Sequence, residues 1–110
     1  VTPRTRHRAA DLAALPFPPG RLSKQVFDTG EVELRHYAPQ GVDSQALHDR
    51  DELYVIISGS GVFERAGERV AFAPGDVLFA AAHETHRFVD FTPDFATWVL
   101  FYGTAKPKPG

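Results

Sequence analysis

Cysteine is absent from the 110 residues. Disulfide frameworks, zinc ribbons, iron–sulfur clusters and a cysteine nucleophile are therefore excluded, and nothing points to an oxidising compartment. Long apolar runs are missing too; none approaches the ~20 residues of a membrane-spanning helix. The opening residues are basic, but the Ala9–Leu15 stretch behind them is short, carries Asp11 and runs into Pro16, unlike a secretory signal. A cytoplasmic protein with no membrane partner is the expectation. Net charge is small, at −2, yet unevenly spread. Arg4, Arg6 and Arg8 sit at one end and Lys106 and Lys108 at the other. Residues 9–105 keep seven of the twelve basic residues against all fourteen acids, a charge of −7. Such a body repels a phosphate backbone, so a nucleic-acid partner is not expected.

What remains is the composition of one globular domain, 43% hydrophobic and 24% charged. Residues 1–20 read as an N-terminal arm with one short helix over Ala9–Leu15, closed by Pro16, Pro18, Pro19 and Gly20. Residues 105–110 read as a disordered tail. Between them, residues 21–104 consist of short β-like segments punctuated by turns. Leu22–Phe27 and Val32–Tyr37 flank Asp28-Thr29-Gly30, a hairpin signal in which glycine supplies a positive φ. Leu53–Ser58, Val62–Arg65, Arg69–Phe72, Val77–Ala80, His86–Phe91 and Phe95–Tyr102 follow. Short strands at this spacing predict an all-β sandwich or barrel.

Two of the five histidines have an informative context. His48 precedes Glu52 by four residues, and Glu52 opens the run Glu-Leu-Tyr-Val-Ile-Ile-Ser. In a strand, that even spacing puts both on one face. His86 opens another strand. Two imidazoles and a carboxylate on neighbouring strands suit a divalent ion such as iron, manganese, nickel or zinc, with coordination positions left open. Tyr54 and Phe88 share strand parity with Glu52 and His86 and would line the same pocket. His36, on the parity of Val32 and Leu34, is placed toward the interior as well.

The stretch Gly41-Val-Asp-Ser-Gln-Ala-Leu-His48-Asp-Arg-Asp-Glu52-Leu-Tyr-Val-Ile-Ile-Ser-Gly59 resembles the first motif of the cupin superfamily: glycine, His-x-His, glutamate, glycine. His48 matches the second histidine, Glu52 the glutamate and Gly59 the closing glycine. Gly75 and His86 match the second motif, glycine, Pro-x-Gly, histidine, asparagine. The resemblance implies a single double-stranded β-helix (jelly-roll) barrel with a short N-terminal helix or arm. It also exposes departures. Ala46 stands where the family has its first histidine, Ala81-Ala82-His83 replaces Pro-x-Gly, and Asp90 replaces the asparagine. Gln45 and His83 are candidate substitutes for the missing ligand.

These readings imply a small metal-binding protein with a small-molecule ligand or substrate. A metal-dependent oxygenase acting on a small oxygenated organic molecule is one expectation. A metal-dependent isomerase or lyase is another, and a non-catalytic binding or storage module a third. Exposed strand edges and the proline-rich arm predict a homodimer to which residues 1–28 contribute.

Overall fold

The computed structural model describes residues 2–44 and 47–109. One short helix, α1 (Ala9–Ala14), precedes eight strands: β1 (Ser23–Asp28), β2 (Val32–Tyr37), β3 (Asp51–Ser58), β4 (Gly61–Arg65), β5 (Glu68–Phe72), β6 (Val77–Ala80), β7 (His86–Val89) and β8 (Ala96–Tyr102). They form a five-stranded sheet in the order β1-β2-β8-β3-β6 and a three-stranded sheet in the order β5-β4-β7. All the pairings are antiparallel. This is the expected all-β jelly-roll barrel.

Local chemistry explains the elements. In the first hairpin, Asp28 Oδ1 accepts a hydrogen bond from the Gly30 N–H at 2.8 Å, and Gly30 takes a φ of +93°. An aspartate that bonds two residues on, followed by glycine, fixes this turn. A bulge between Gln25 and Phe27 then shifts the β1–β2 register by one residue. Gly59 is required for a different reason. A Cβ there would lie 2.5 Å from the Phe95 Cα, and its φ is +80°. Glycine at the end of β3 thus lets the chain cross directly against the start of β8.

The core lies between the sheets and is built from rings. Tyr54, Phe63, Phe72, Phe88 and Phe95 are buried together, with centroid separations of 4.7–5.6 Å between neighbours. Tilted and edge-on pairs of this kind each contribute about 0.5–1.5 kcal/mol beyond the area they bury.

Strand register sorts the two faces of the larger sheet. Arg35 pairs with Val99, and Val99 with Tyr54; this row faces the core. The next row, His36, Trp98 and Val55, faces the opposite side. There the N-terminal arm packs on its own barrel. Leu12 of α1 is buried, His7 lies 5.4 Å from the Phe27 ring, and the buried Lys24 ammonium donates to the Leu12 carbonyl at 2.7 Å. Near the other terminus, the Lys106 N–H donates to the Asp49 carbonyl and its ammonium meets Asp51, each at 2.7 Å. The segment expected to be a disordered tail is therefore held to the barrel at Lys106.

Candidate functional site

Glu52 is the centre of the site. It stands on the core face of β3, pairs in register with Phe101 of β8 and Ala80 of β6, and is fully buried. Its carboxylate meets three side chains. The Tyr54 hydroxyl donates to Oε1 at 3.2 Å. His86 Nε2 lies 2.8 Å from Oε2, and His48 Nε2 lies 3.8 Å from Oε1. His48, Glu52 and His86 are thus brought together.

Their routes differ from the strand-parity expectation in one respect. His86 opens β7 and Glu52 belongs to β3, but His48 precedes β3 and is not in a strand. Loop geometry carries it inward instead. Its carbonyl accepts the His83 N–H at 2.8 Å, and its ring packs edge-on against Phe101 at 4.8 Å. The His48 side chain keeps 34% of its surface, whereas those of His86 and Glu52 keep 1% and 0%. Two donors are therefore sealed in the barrel and the third stands at its mouth.

Hydrogen bonding assigns roles to the His86 nitrogens. Nδ1 lies 2.7 Å from the Glu84 carbonyl, which can only accept, so Nδ1 carries the proton. In the neutral ring, Nε2 is then a lone pair aimed at the Glu52 carboxylate. His86 Nε2 and Glu52 Oε2 have no polar partner among the described residues other than each other, at 2.8 Å. Two acceptors held face to face need a proton or a cation between them. Burial lowers the His86 pKa, but the Glu52 carboxylate, the Glu84 carbonyl and Asp43 together outweigh it, and the net shift is upward.

The other candidate residues sit as follows. Tyr54 reaches the site through its hydroxyl, while Phe88 is a core ring 4.9 Å from Tyr54. His83 takes a φ of +63° and turns its ring to the Lys106 carbonyl at 2.7 Å, away from Glu52. His36 is buried on the opposite side of the sheet, edge-on to Trp98 at 5.6 Å. Its expected interior position is corrected by the register, which turns Glu33, Arg35 and Tyr37 inward instead. Gln45 and Ala46 lie outside the described residues. Among the described residues no group of three or more histidine or acidic side chains closes into a metal-holding arrangement. The donor chemistry nevertheless suits a cation: two buried, orphaned atoms face each other and a third donor stands beside them.

One residue escaped the sequence reading. Asp43 accepts from the Tyr37 hydroxyl through one oxygen and from the Phe88 N–H, at 2.8 Å, through the other. It ties the segment before His48 to both sheets. Burial first, then the bond to Asp43, pushes the Tyr37 phenol far above its ordinary range. An aspartate five residues ahead of a candidate ligand gave no signal by itself, because its partners come from distant strands.

Beside His48 a cavity of about 270 Å³ opens, lined by Arg21, Ser23, Glu33, Arg35, Arg50 and Phe101 among others. The Cupin domain family model matches residues 33–101, which run from β2 to β8 and include His48, Glu52 and His86. The chain belongs to the cupin family. Proteins of this family commonly bind a metal ion. This cupin is 32% identical over 59 residues to an uncharacterised protein of Streptomyces coelicolor, covering 54% of this chain and 56% of that one. The chain thus spans about half the length of that curated relative. Among solved structures, it is similar to KdgF from Halomonas sp., at 26% identity and a TM-score of 0.64, covering 73% of this chain and 76% of that one. It is also similar in fold to a cupin superfamily protein of Desulfitobacterium hafniense, at 19% identity and a TM-score of 0.66, covering 91% and 93% of the two chains.

Proposed function

We propose that this cupin binds a divalent metal ion at His48, Glu52 and His86 and acts there on a small oxygenated organic molecule. The observation that carries this reading is the pair of buried, orphaned atoms, His86 Nε2 and Glu52 Oε2, 2.8 Å apart. When bound, the ion supplies Lewis acidity toward an oxygen of the ligand. The chain's own residues do the rest. The Glu84 carbonyl holds the His86 proton on Nδ1 and so keeps Nε2 available. Glu52 brings the only negative charge among the three, and the Tyr54 hydroxyl orients it. Wrapped around this pair, the aromatic core excludes water from the inner side of the site. Of the three donors His48 alone borders the cavity, so a ligand entering there meets that donor first.

We read the reaction class as metal-dependent oxygenation. What supports it is the donor set: two neutral imidazoles and one carboxylate leave positions free on iron-type ions. Metal analysis of the purified protein is the test. About one transition metal per chain, together with oxygen uptake on a small acid or diketone, is the expected result. Metal-free protein that retains an organic molecule would replace this reading with a binding or storage role.

We also read the chain as a homodimer. What supports this is the open edge of the larger sheet, where β6 exposes Val77 at 61% and Phe79 at 37%. Sedimentation is expected to give about twice the 12.1 kDa chain mass; a mass that stays at one chain up to millimolar concentration refutes it.

A further inference from the structure

The cavity beside His48 has a charge pattern that the metal reading does not use. Arg35 and Arg50 both pair with one carboxylate, that of Glu33. Arg35 Nη1 meets Oε2 at 2.9 Å and Arg50 Nη2 meets Oε1 at 2.8 Å. These side chains keep only 11%, 19% and 15% of their surface for Arg35, Arg50 and Glu33. Two guanidiniums on one carboxylate leave an unbalanced positive charge in a partly desolvated place. Arg21 lines the same cavity, and its side chain makes no hydrogen bond or ion pair among the described residues. With Arg21, Arg35 and Arg50 set against Glu33 and Asp49, the lining carries +1, in a chain whose residues 9–105 carry −7.

The two paired arginines are not equivalent. Arg35 spends Nε and Nη2 on the Ser23 hydroxyl and carbonyl, at 2.9 and 3.3 Å, and Nη1 on Glu33. It is a fixed strut. Arg50 uses Nη2 alone, so its Nε–H and Nη1–H groups have no protein partner among the described residues. Its guanidinium lies 5.5 Å from the Phe101 ring centre, and that ring also carries His48. The cavity floor therefore runs from a free guanidinium edge, across an aromatic face, to a candidate metal ligand.

We propose that Arg50, assisted by Arg21, is the anion anchor of this site, and that the ligand is a small organic anion. Its carboxylate or phosphate head is held by the arginines, its carbon skeleton lies over Phe101 and Val99, and its far oxygen points toward His48. Arg35 and Glu33 position Arg50. The cavity volume of about 270 Å³ limits the ligand to a small metabolite, near the lower end of the roughly 300–1,000 Å³ of small-molecule sites. This deepens the proposed function and rests on it for the orientation toward His48, but the anion contact itself does not require a metal.

Calorimetric titration of the full chain separates the two ideas. The protein is stripped with a chelator, dialysed, and titrated with succinate, inorganic phosphate and the neutral succinamide, then titrated again after loading with zinc. Succinate or phosphate is expected to bind the stripped protein, with succinamide at least about tenfold weaker, the scale of a charge-assisted hydrogen bond. Arg50→Gln is expected to weaken the anion at least about tenfold, and Arg21→Gln by a smaller factor. Preference for phosphate assigns the head as a phosphate ester and preference for succinate as a carboxylate; both support the anchor. If Arg50→Gln does not fold, Arg50→Lys and the exposed-rim Arg21→Gln carry the test, each with weakened binding expected. Equal affinity for succinamide overturns the anchor, as do unchanged affinities in these variants. So does anion binding confined to the zinc-loaded protein and indifferent to Arg50, a result that leaves the metal reading intact. Anion binding to a protein that takes up no zinc leaves the anchor standing and removes the metal reading.

Discussion

Two histidines are buried on opposite sides of the larger sheet, and their surroundings push them in opposite directions. His36, beneath the N-terminal arm, lies edge-on to Trp98 with its Nδ1 unpartnered, and burial followed by the neighbouring Lys24 ammonium lowers its pKa. His86, inside the barrel, also has an unpartnered nitrogen, but that nitrogen faces a carboxylate and its pKa is raised. Burial is common to both, so burial does not make a site. A cation beside a buried imidazole keeps it neutral and structural, whereas an anion draws a proton or a metal ion toward it.

The largest expected effect separates the two directly. His86→Ala should weaken zinc binding at least about a hundredfold, since it removes a donor rather than a supporting contact. His36→Ala should leave zinc affinity unchanged. Isothermal titration reads both, and equal losses would erase the distinction between the two faces.

Next in size is the arm side. Lys24 is buried and donates to the Leu12 carbonyl near the end of α1. Lys24→Met should lower stability by about 1.5–3 kcal/mol, the range for a hydrogen bond from a charged group, as measured by urea unfolding. On the barrel side the opposite sign is expected. Glu52→Gln in metal-free protein, at a pH above the folded His86 pKa, should raise stability by about 1 kcal/mol. The new amide can donate to His86 Nε2 where a carboxylate only confronts it. The same change should weaken zinc binding, so stability and metal affinity move apart.

The smallest effect is the pH dependence. The folded pKa of His36 lies below the ordinary 6.5, so between the two values the unfolded chain binds the extra proton. Stability from His36 is therefore present above pH 6.5 and lost as pH falls toward the folded value. For His86 in metal-free protein the folded pKa lies above 6.5. Its contribution is present below pH 6.5 and is lost as pH rises through the folded value. Unfolding curves between pH 5 and 8 for His36→Gln and His86→Gln should shift in opposite directions relative to the unsubstituted protein. Parallel shifts would mean that one environment governs both.

Much of this arrangement is written locally. Asp28-Thr29-Gly30 closes the first hairpin where the turn chemistry predicts it, and Ala9–Ala14 is the short helix stopped by prolines. Asp76 bonds its own turn through the Ala73 N–H at 2.8 Å, as expected of an aspartate after Pro-Gly. Glu52, Tyr54 and Ile56 alternate inward along β3 as strand parity requires. Parity failed at two places for identifiable reasons. His48 is not in a strand, so a period of two has no meaning for it. In β2 the apolar parity faces outward, because the N-terminal arm packs there, with Leu12 of α1 and Lys24 and His36 of the sheet buried, while the inward side, Glu33, Arg35 and Tyr37, borders the polar mouth. Which face of an alternating strand is interior depends on what covers it, and that cover comes from residues far away in sequence.

The sequence by itself determined the short strands, the turns between them and the identity of two of the three donors on strands. These depend on local backbone chemistry and on side-chain alternation, both properties of neighbouring residues. Only the tertiary structure decided that His86 Nε2 and Glu52 Oε2 meet at 2.8 Å, that Asp43 ties its loop to both sheets, and that Glu33 is shared by Arg35 and Arg50. Each of these joins residues brought together by strand pairing or loop closure, and the desolvation that gives them their chemistry exists only once the barrel has closed.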